Sequence, residues 1–480
     1  MTRLIRIVRH CLVGIALAAA PSAAVAGGFA SARFGSEHGH PATDHPTALY
    51  YNPAGLALGS GTRLYVEGLF AYRTVTYDRP EGAIDNPGTG TPDEATAANA
   101  GRATLQNALV SPFVGIVSDF GVRNLGVGLG AYVPFGGSAT WDKNDGFEGN
   151  AQYPGAVDGV QRWASIDGTQ TALYVTLAGA YRFERAGVSV GAGLNLVREA
   201  IETVRARNVF GTDDLVAADG SIVEGRTLVD VSGTTASIGA GVLWQPTDAL
   251  AIGVSYQSQP GFGEHGLEGT LVNKFGNGPV TESDVELRHS LPDIVRAGVR
   301  WRAAPDVELR LAGDYQRWSV FDKQCLLDLA DENRKCALNP DGSVDTAAGG
   351  SGIIVNVPRD YHDSFGVRAG ASYWLAPAFE TFAGIGFDSN AVPDETIDPA
   401  LMDMNKIIGT LGVRHAWLGD ALALSISATA VAYFERTAPP RPRDSDGKAI
   451  APQPPSRNAD GAGTYNQTVA LLAVGLQYTF

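Results

Sequence analysis

The chain has 480 residues, with 51 acidic against 36 basic side chains and a net charge of −15. That balance argues against partners gripped through a phosphate backbone, which need a basic footprint, so no nucleic-acid partner is expected. A count of 59 glycines beside only three methionines and three cysteines suits an exported β-protein, and beyond residue 26 no run of about 18 apolar residues remains to make a spanning helix.

Taken in order, the chain opens on a basic stretch, Met1 to Arg9, then an apolar run over 12–20, then Ala24-Val25-Ala26. This is the layout of a signal peptide, 1–26, removed after Ala26 and carrying Cys11 with it. Residues 27–60 come next. Within them Thr47-Ala48-Leu49-Tyr50-Tyr51-Asn52-Pro53-Ala54-Gly55 is an apolar-aromatic run broken by Asn-Pro-Ala-Gly. Pro53 has no amide donor and restricts Asn52, so the run is neither a paired central strand nor a helix interior. It reads as a turn into the first strand or as a compact plug packed against something larger. His38, His40, Asp44 and His45 could wrap one ion; a hydrogen-bonded loop is the simpler reading, and no metal is expected.

From residue 61 to 480 the signal is alternation. Val307, Leu309, Leu311, Gly313 and Tyr315 fall on one face of a strand, and Asp306, Glu308, Arg310, Ala312, Asp314 and Gln316 on the other. About 14 such strands are expected, at 62–77, 106–118, 122–134, 171–183, 186–200, 228–245, 248–259, 283–303, 306–319, 361–375, 378–388, 405–418, 421–436 and 464–480. Leu291-Pro292-Asp293 reads as a bulge in the eighth. Short connections (119–121, 184–185, 246–247, 304–305, 376–377, 419–420) alternate with long ones (78–105, 135–170, 201–227, 260–282, 320–360, 389–404, 437–463). Sorting loop length by end is how bacterial outer-membrane barrels are built, whereas a soluble sandwich has no reason for it. The fold class is therefore all-β, a transmembrane antiparallel barrel in the outer membrane of a Gram-negative cell.

Gly126, Gly128 and Gly130 sit inside the third strand. They read either as small lumen-facing residues that make room for a plug or as a kink that opens the wall. Cys325 and Cys336 bracket a polar segment, and in an oxidising compartment they are expected to pair, a closure worth roughly 2–3 kcal/mol. The final strand ends on Phe480 after aliphatic and aromatic residues at every second position. No nucleophile elbow, zinc-protease motif or phosphate loop is present; no enzyme activity and no cofactor are expected.

Together Asn52-Pro53-Ala54, Tyr132-Val133-Pro134-Phe135-Gly136, Leu291-Pro292-Asp293, Trp318-Ser319-Val320-Phe321, Gly384-Ile385-Gly386-Phe387-Asp388, Val392-Pro393-Asp394-Glu395-Thr396-Ile397 and the terminal Phe480 resemble the FadL family of outer-membrane transporters, as do Gly28-Phe29-Ala30 and Phe34-Gly35. The His-rich stretch departs from it. The resemblance implies a hatch of residues 27–60 inside the barrel, with Asn52, Pro53 and Ala54 as its box. It implies a third-strand kink with Gly126, Gly128 and Gly130 as candidates, and headgroup-binding cations, for which Arg198 and Lys323 are the candidates. Phe480 would be read by the barrel-insertion machinery. The implied activity is passive uptake of a long-chain fatty acid or aromatic hydrocarbon, collected by loops 201–227 and 260–282 and released sideways into outer-membrane lipid by a monomer. A general diffusion porin and an outer-membrane lipase are the rival readings.

Overall fold

The computed structural model describes residues 33–85, 93–217, 219–419, 421–445 and 449–480. The expected signal peptide, its Cys11, and Gly28-Phe29-Ala30 lie outside the described residues, as does Asp420 of one short turn.

Fourteen antiparallel strands close into one barrel. They are β1 Thr62–Arg79, β2 Gly101–Ser118, β3 Leu125–Thr140, β4 Asp167–Phe183, β5 Val188–Arg207 and β6 Gly225–Thr247. Four interrupted strands follow: β7 (Leu250–Gln257 and His265–Lys274), β8 (Val280–His289 and Ile294–Ala304), β9 (Val307–Gln316 and Lys323–Asp328) and β10 (Ile353–Pro358 and Ser364–Ala376). The circuit finishes with β11 Phe379–Asp388, β12 Lys406–Trp417, β13 Leu422–Tyr433, prolonged by Arg436–Ala438, and β14 Gly463–Thr479. Pairing of β1 with β14, from Arg63 opposite Thr479 to Asp78 opposite Thr464, removes the sheet edges. Closure is what lets a sheet sit in lipid, where an unpaired edge finds no water.

The alternation has its cause in this geometry. On β5, Leu194 and Leu196 are exposed while Asn195, Val197 and Glu199 are buried; on β9, Leu309 and Leu311 face out and Arg310 faces in. Around the short-turn rim Tyr181, Phe183, Trp244, Trp301, Tyr373, Trp417, Tyr478 and Phe480 stand exposed, an aromatic girdle at the level of the lipid headgroups.

The expected long loop 260–282 is corrected here: most of it is the outer hairpin of β7 and β8. β5 and β6 also run further out than expected, so 201–207 and 225–227 are strand as well. The physical reason is a switch of polarity at the four interruptions. Nearer the short turns Val254, Val295, Leu311 and Val367 are exposed. Beyond the breaks Leu267, Leu271, Val285, Leu287, Leu326 and Val355 turn inward and pack on Ile201, Val229 and Val231. That outer part of the wall stands in water, so its apolar side faces the lumen. The expected Cys325–Cys336 disulfide is formed there.

Candidate functional site: the filled lumen and the β2–β3 gap

Residues 33–59 lie inside the barrel. A short helix, Ala48–Tyr51, leads into a 3-10 helix, Pro53–Leu58, with Asn52 between them in extended backbone. Pro53 suits the first helical position because its missing N–H would have no partner there. Asn52 is fully buried and satisfied. Its Oδ1 accepts from Ala54 N at 3.1 Å, and its Nδ2 donates to the carbonyls of Pro41 (2.7 Å) and of Val242 on β6 (3.1 Å). Ser255 on β7 donates to Tyr51 O at 2.6 Å, and Gly35 N donates to Glu67 on β1 at 2.8 Å. The Arg296 guanidinium of β8 lies 4.5 Å from the Tyr50 ring centroid.

Lumen-facing glycines make this fit possible. A Cβ at Gly126 would fall 2.3 Å from the Leu56 backbone, at Gly191 2.4 Å from Ala54 N, and at Gly253 2.0 Å from Pro41 O. At Gly128 and Gly130 it would press on the Leu49 side chain at 2.8 and 2.9 Å.

The His-rich stretch is held by ordinary polar contacts. His38 Nε2 lies 3.0 Å from Glu380, Ala42 N donates to His40 Nδ1 at 3.2 Å, and His45 Nδ1 meets Thr47 Oγ1 at 3.0 Å. Burial holds His40 and His45 well below the usual imidazole range, helped by nearby guanidiniums. Burial would raise the Asp44 carboxyl, but Arg300, 2.8 Å away, and Arg63 outweigh it and hold it low.

Between β2 and β3 the wall is incomplete. Their ladder runs only from Phe113 opposite Tyr132 to Ser118 opposite Val127. Past it, β2 stays paired to β1 as far as Gly101, and β3 to β4 as far as Thr140. The β3–β4 register shifts between Tyr132 and Phe135, where Pro134 has no amide to contribute. Only side chains cross the gap until Asp142 N donates to Thr104 O: Ser111 to Val133 O (3.1 Å), Asn107 to Ser138 O (2.9 Å) and Arg73 to Ser138 O (3.2 Å). The candidate glycines of the kink, Gly126, Gly128 and Gly130, lie in the regularly paired half; the irregularity is at Val133-Pro134.

Residues 136–139 of the gap also line a chamber in the outer lumen. Its apolar wall is Ile201, Val229, Leu287, Leu326, Val355 and Val357, and Arg73, Arg205 and Arg359 enter it. Arg359 is paired with Asp398 at 2.9 Å, and Arg73 Nε donates to Gln467 at 3.2 Å. The buried Arg205 Nε has no partner among the described residues. A second cavity, richer in charge, reaches Arg33 and Glu37 of the internal segment. Phe135, Trp318, Phe321 and Tyr361 make a chain of ring contacts, and Trp318 and Tyr361 line this second cavity.

Neither expected headgroup cation stands free in the chamber. Arg198 is on the outer face, bonded to Ser232 (2.7 Å) and Thr234 (3.3 Å), because it shares parity with Leu194 and Leu196. Lys323 is engaged by Asp322 (2.9 Å) and Glu264 (3.3 Å). Parity along β5 was the signal that would have favoured Arg205 over Arg198.

A closed barrel with lipid-facing strands, its lumen occupied by residues 33–59, defines an outer-membrane β-barrel protein. The chain belongs to the family described as outer membrane protein transport protein (OMPP1/FadL/TodX), whose profile matches residues 14–480. It is 23% identical over 454 residues to an outer membrane protein of Neisseria meningitidis serogroup B, covering 90% of this chain and 89% of the relative. Among solved structures, a Pseudomonas aeruginosa FadL homologue superposes with a TM-score of 0.70 at 17% identity, covering 96% of this chain and 100% of that one. The Ralstonia pickettii toluene transporter TbuX gives 0.57 at 16% identity over 91% and 94%, and the Pseudomonas putida toluene transporter TodX 0.57 at 12% over the same shares. The protein is located in the outer membrane.

Proposed function

We propose that this protein carries hydrophobic compounds passively across the outer membrane, with an amphiphile of the long-chain fatty acid type as its solute. The solute enters the outer chamber, waits above residues 33–59, and leaves sideways into the bilayer between β2 and β3. The observation that carries this reading is the missing ladder beside the chamber: residues 136–139 belong to both. Lateral exit suits a solute that gains nothing by entering periplasmic water. An apolar pocket with a few cations is the environment an aliphatic chain with one carboxylate needs, and Arg205 supports a charged headgroup over the uncharged toluene named for the transporters TbuX and TodX. The internal segment acts as the hatch, with Asn52, Pro53 and Ala54 fixing its seat; a filled lumen favours this reading over an open diffusion porin.

The test is to close the gap reversibly. Asn107→Cys with Ser138→Cys, joined by a short reducible cross-linker, should slow fatty-acid uptake in cells and restore it on reduction. Uptake that is equally fast in the cross-linked state would remove the lateral route.

A further inference from the structure

A cluster apart from the chamber cations and the gap joins three strands. Glu199 of β5 is buried, as are His265 and His289, which face each other across the β7–β8 ladder. His265 Nε2 lies 2.8 Å from Glu199 Oε1 and His289 Nε2 lies 3.0 Å from Oε2. One ligand-type atom from each residue falls within 4.8 Å of the others. Glu199 reaches its partners over β6, where its cross-strand neighbour is Gly233, which has no side chain to obstruct the carboxylate.

We propose that Glu199, His265 and His289 bind one divalent transition-metal ion of the zinc class. Two imidazoles and a carboxylate are a donor set that suits such an ion, whereas calcium and magnesium prefer oxygen alone. The second contact of His265 points the same way. Its Nδ1 lies 3.2 Å from the Gly263 carbonyl, to which only a protonated nitrogen can bond, so Nε2 is the nitrogen turned to the carboxylate of Glu199. At 2.8 Å from the carboxylate oxygen, that nitrogen must share either a proton or a metal ion with it. A backbone carbonyl fixing the far nitrogen is also how metal-binding imidazoles are commonly oriented. In a tetrahedral site with bonds near 2.0–2.2 Å, neighbouring ligand atoms stand roughly 3.3–3.6 Å apart, so the two contacts to Glu199, 2.8 and 3.0 Å, would open by some tenths of an ångström as an ion enters.

The position gives such an ion a structural consequence. His265 is the first residue after the break in β7 and His289 the last before the break in β8, while β5 runs through unbroken. An ion here ties both interrupted strands to a continuous one, beside Phe321, whose ring centroid is 6.1 Å from that of His289.

The test uses the full protein purified in detergent without a histidine tag and stripped with a chelator, then titrated with Co²⁺ as a spectroscopic probe and Zn²⁺ as competitor. One Co²⁺ per chain is expected, with visible bands of a four-coordinate site that Zn²⁺ abolishes. Glu199→Gln and His289→Asn should each weaken binding at least about 10-fold, as even losses around a metal site do, whereas His38→Asn should not. Heat-modifiable gel migration establishes that each variant is a folded barrel, and His265→Gln serves if either is not. Absence of Co²⁺ binding by the folded wild type, or binding unchanged in the folded variants, would overturn the proposal and leave the trio as a proton-bridged ion pair.

Discussion

Asn52 Nδ2 donates to the carbonyl of Val242, 3.1 Å away, so a side chain of the internal segment is hydrogen-bonded to the backbone of β6. The same amide holds Pro41, and its oxygen caps Ala54. Removing it leaves buried groups unsatisfied at about 1–3 kcal/mol each. Asn52→Ala with Pro53→Ala should therefore loosen the seat while the barrel, whose ladder is untouched, still inserts. Fatty-acid uptake by cells producing this variant should fall; undiminished uptake would deny the segment its role as a hatch.

The close approach at Gly253 offers a steric version of that experiment. A Cβ there would stand 2.0 Å from Pro41 O, closer than packing tolerates, and Gly253→Leu should displace the segment from the wall. Single-channel conductance in a planar bilayer should rise. Gly179, where an added Cβ meets nothing within 4 Å, supplies the control: Gly179→Ala should conduct as the wild type does.

Substitution of Arg205 tests the proposed class of solute. Its Nε has no partner among the described residues, and it lines the chamber together with Arg73 and Arg359, which are bonded to Gln467 and Asp398. A hydrogen bond to a charged group contributes about 1.5–3 kcal/mol, which is roughly 10-fold to 100-fold in affinity. Arg205→Gln should weaken binding of a long-chain fatty acid by that factor and leave binding of toluene unchanged, measured by tryptophan fluorescence titration. Equal effects on both would place the carboxylate elsewhere.

The membrane-facing half of the barrel was legible in the sequence because lipid imposes one rule on every strand: apolar side chains alternate outward. Strands such as β11 and β12 largely obey it, with Ile385, Ile407, Leu411 and Val413 outward, and their expected bounds differ from the observed ones by no more than one residue at each end. The rule fails above the breaks at 258–264, 290–293, 317–322 and 359–363, where water replaces lipid and Leu267, Leu287 and Leu326 turn inward. A reading that carried one parity through could not see that hairpin. It also misassigned Arg198, whose neighbours Leu194 and Leu196 already marked its face as the outer one. Glu199 with His265 and His289 had no local signature at all, being 66 and 90 residues apart and joined only by strand register.

The seat of the internal segment should also respond to pH. His40 and His45 are held neutral by burial, with their folded pKa values well below the ordinary imidazole value near 6.5. The released segment then binds more protons than the seated one at any pH between the two values, so stability of the seat rises with pH across that window. It is fully present above about pH 6.5 and is lost progressively as pH falls toward the folded values. Asp44, also depressed, acts with the same sign but only below the ordinary aspartate value of about 3.9. Conductance in planar bilayers should therefore increase as pH is lowered from 7 to 5, before Asp44 contributes. His40→Gln with His45→Asn should flatten that rise, because neither replacement takes up a proton. A rise of the same size in the double variant would assign the response to groups other than these two imidazoles.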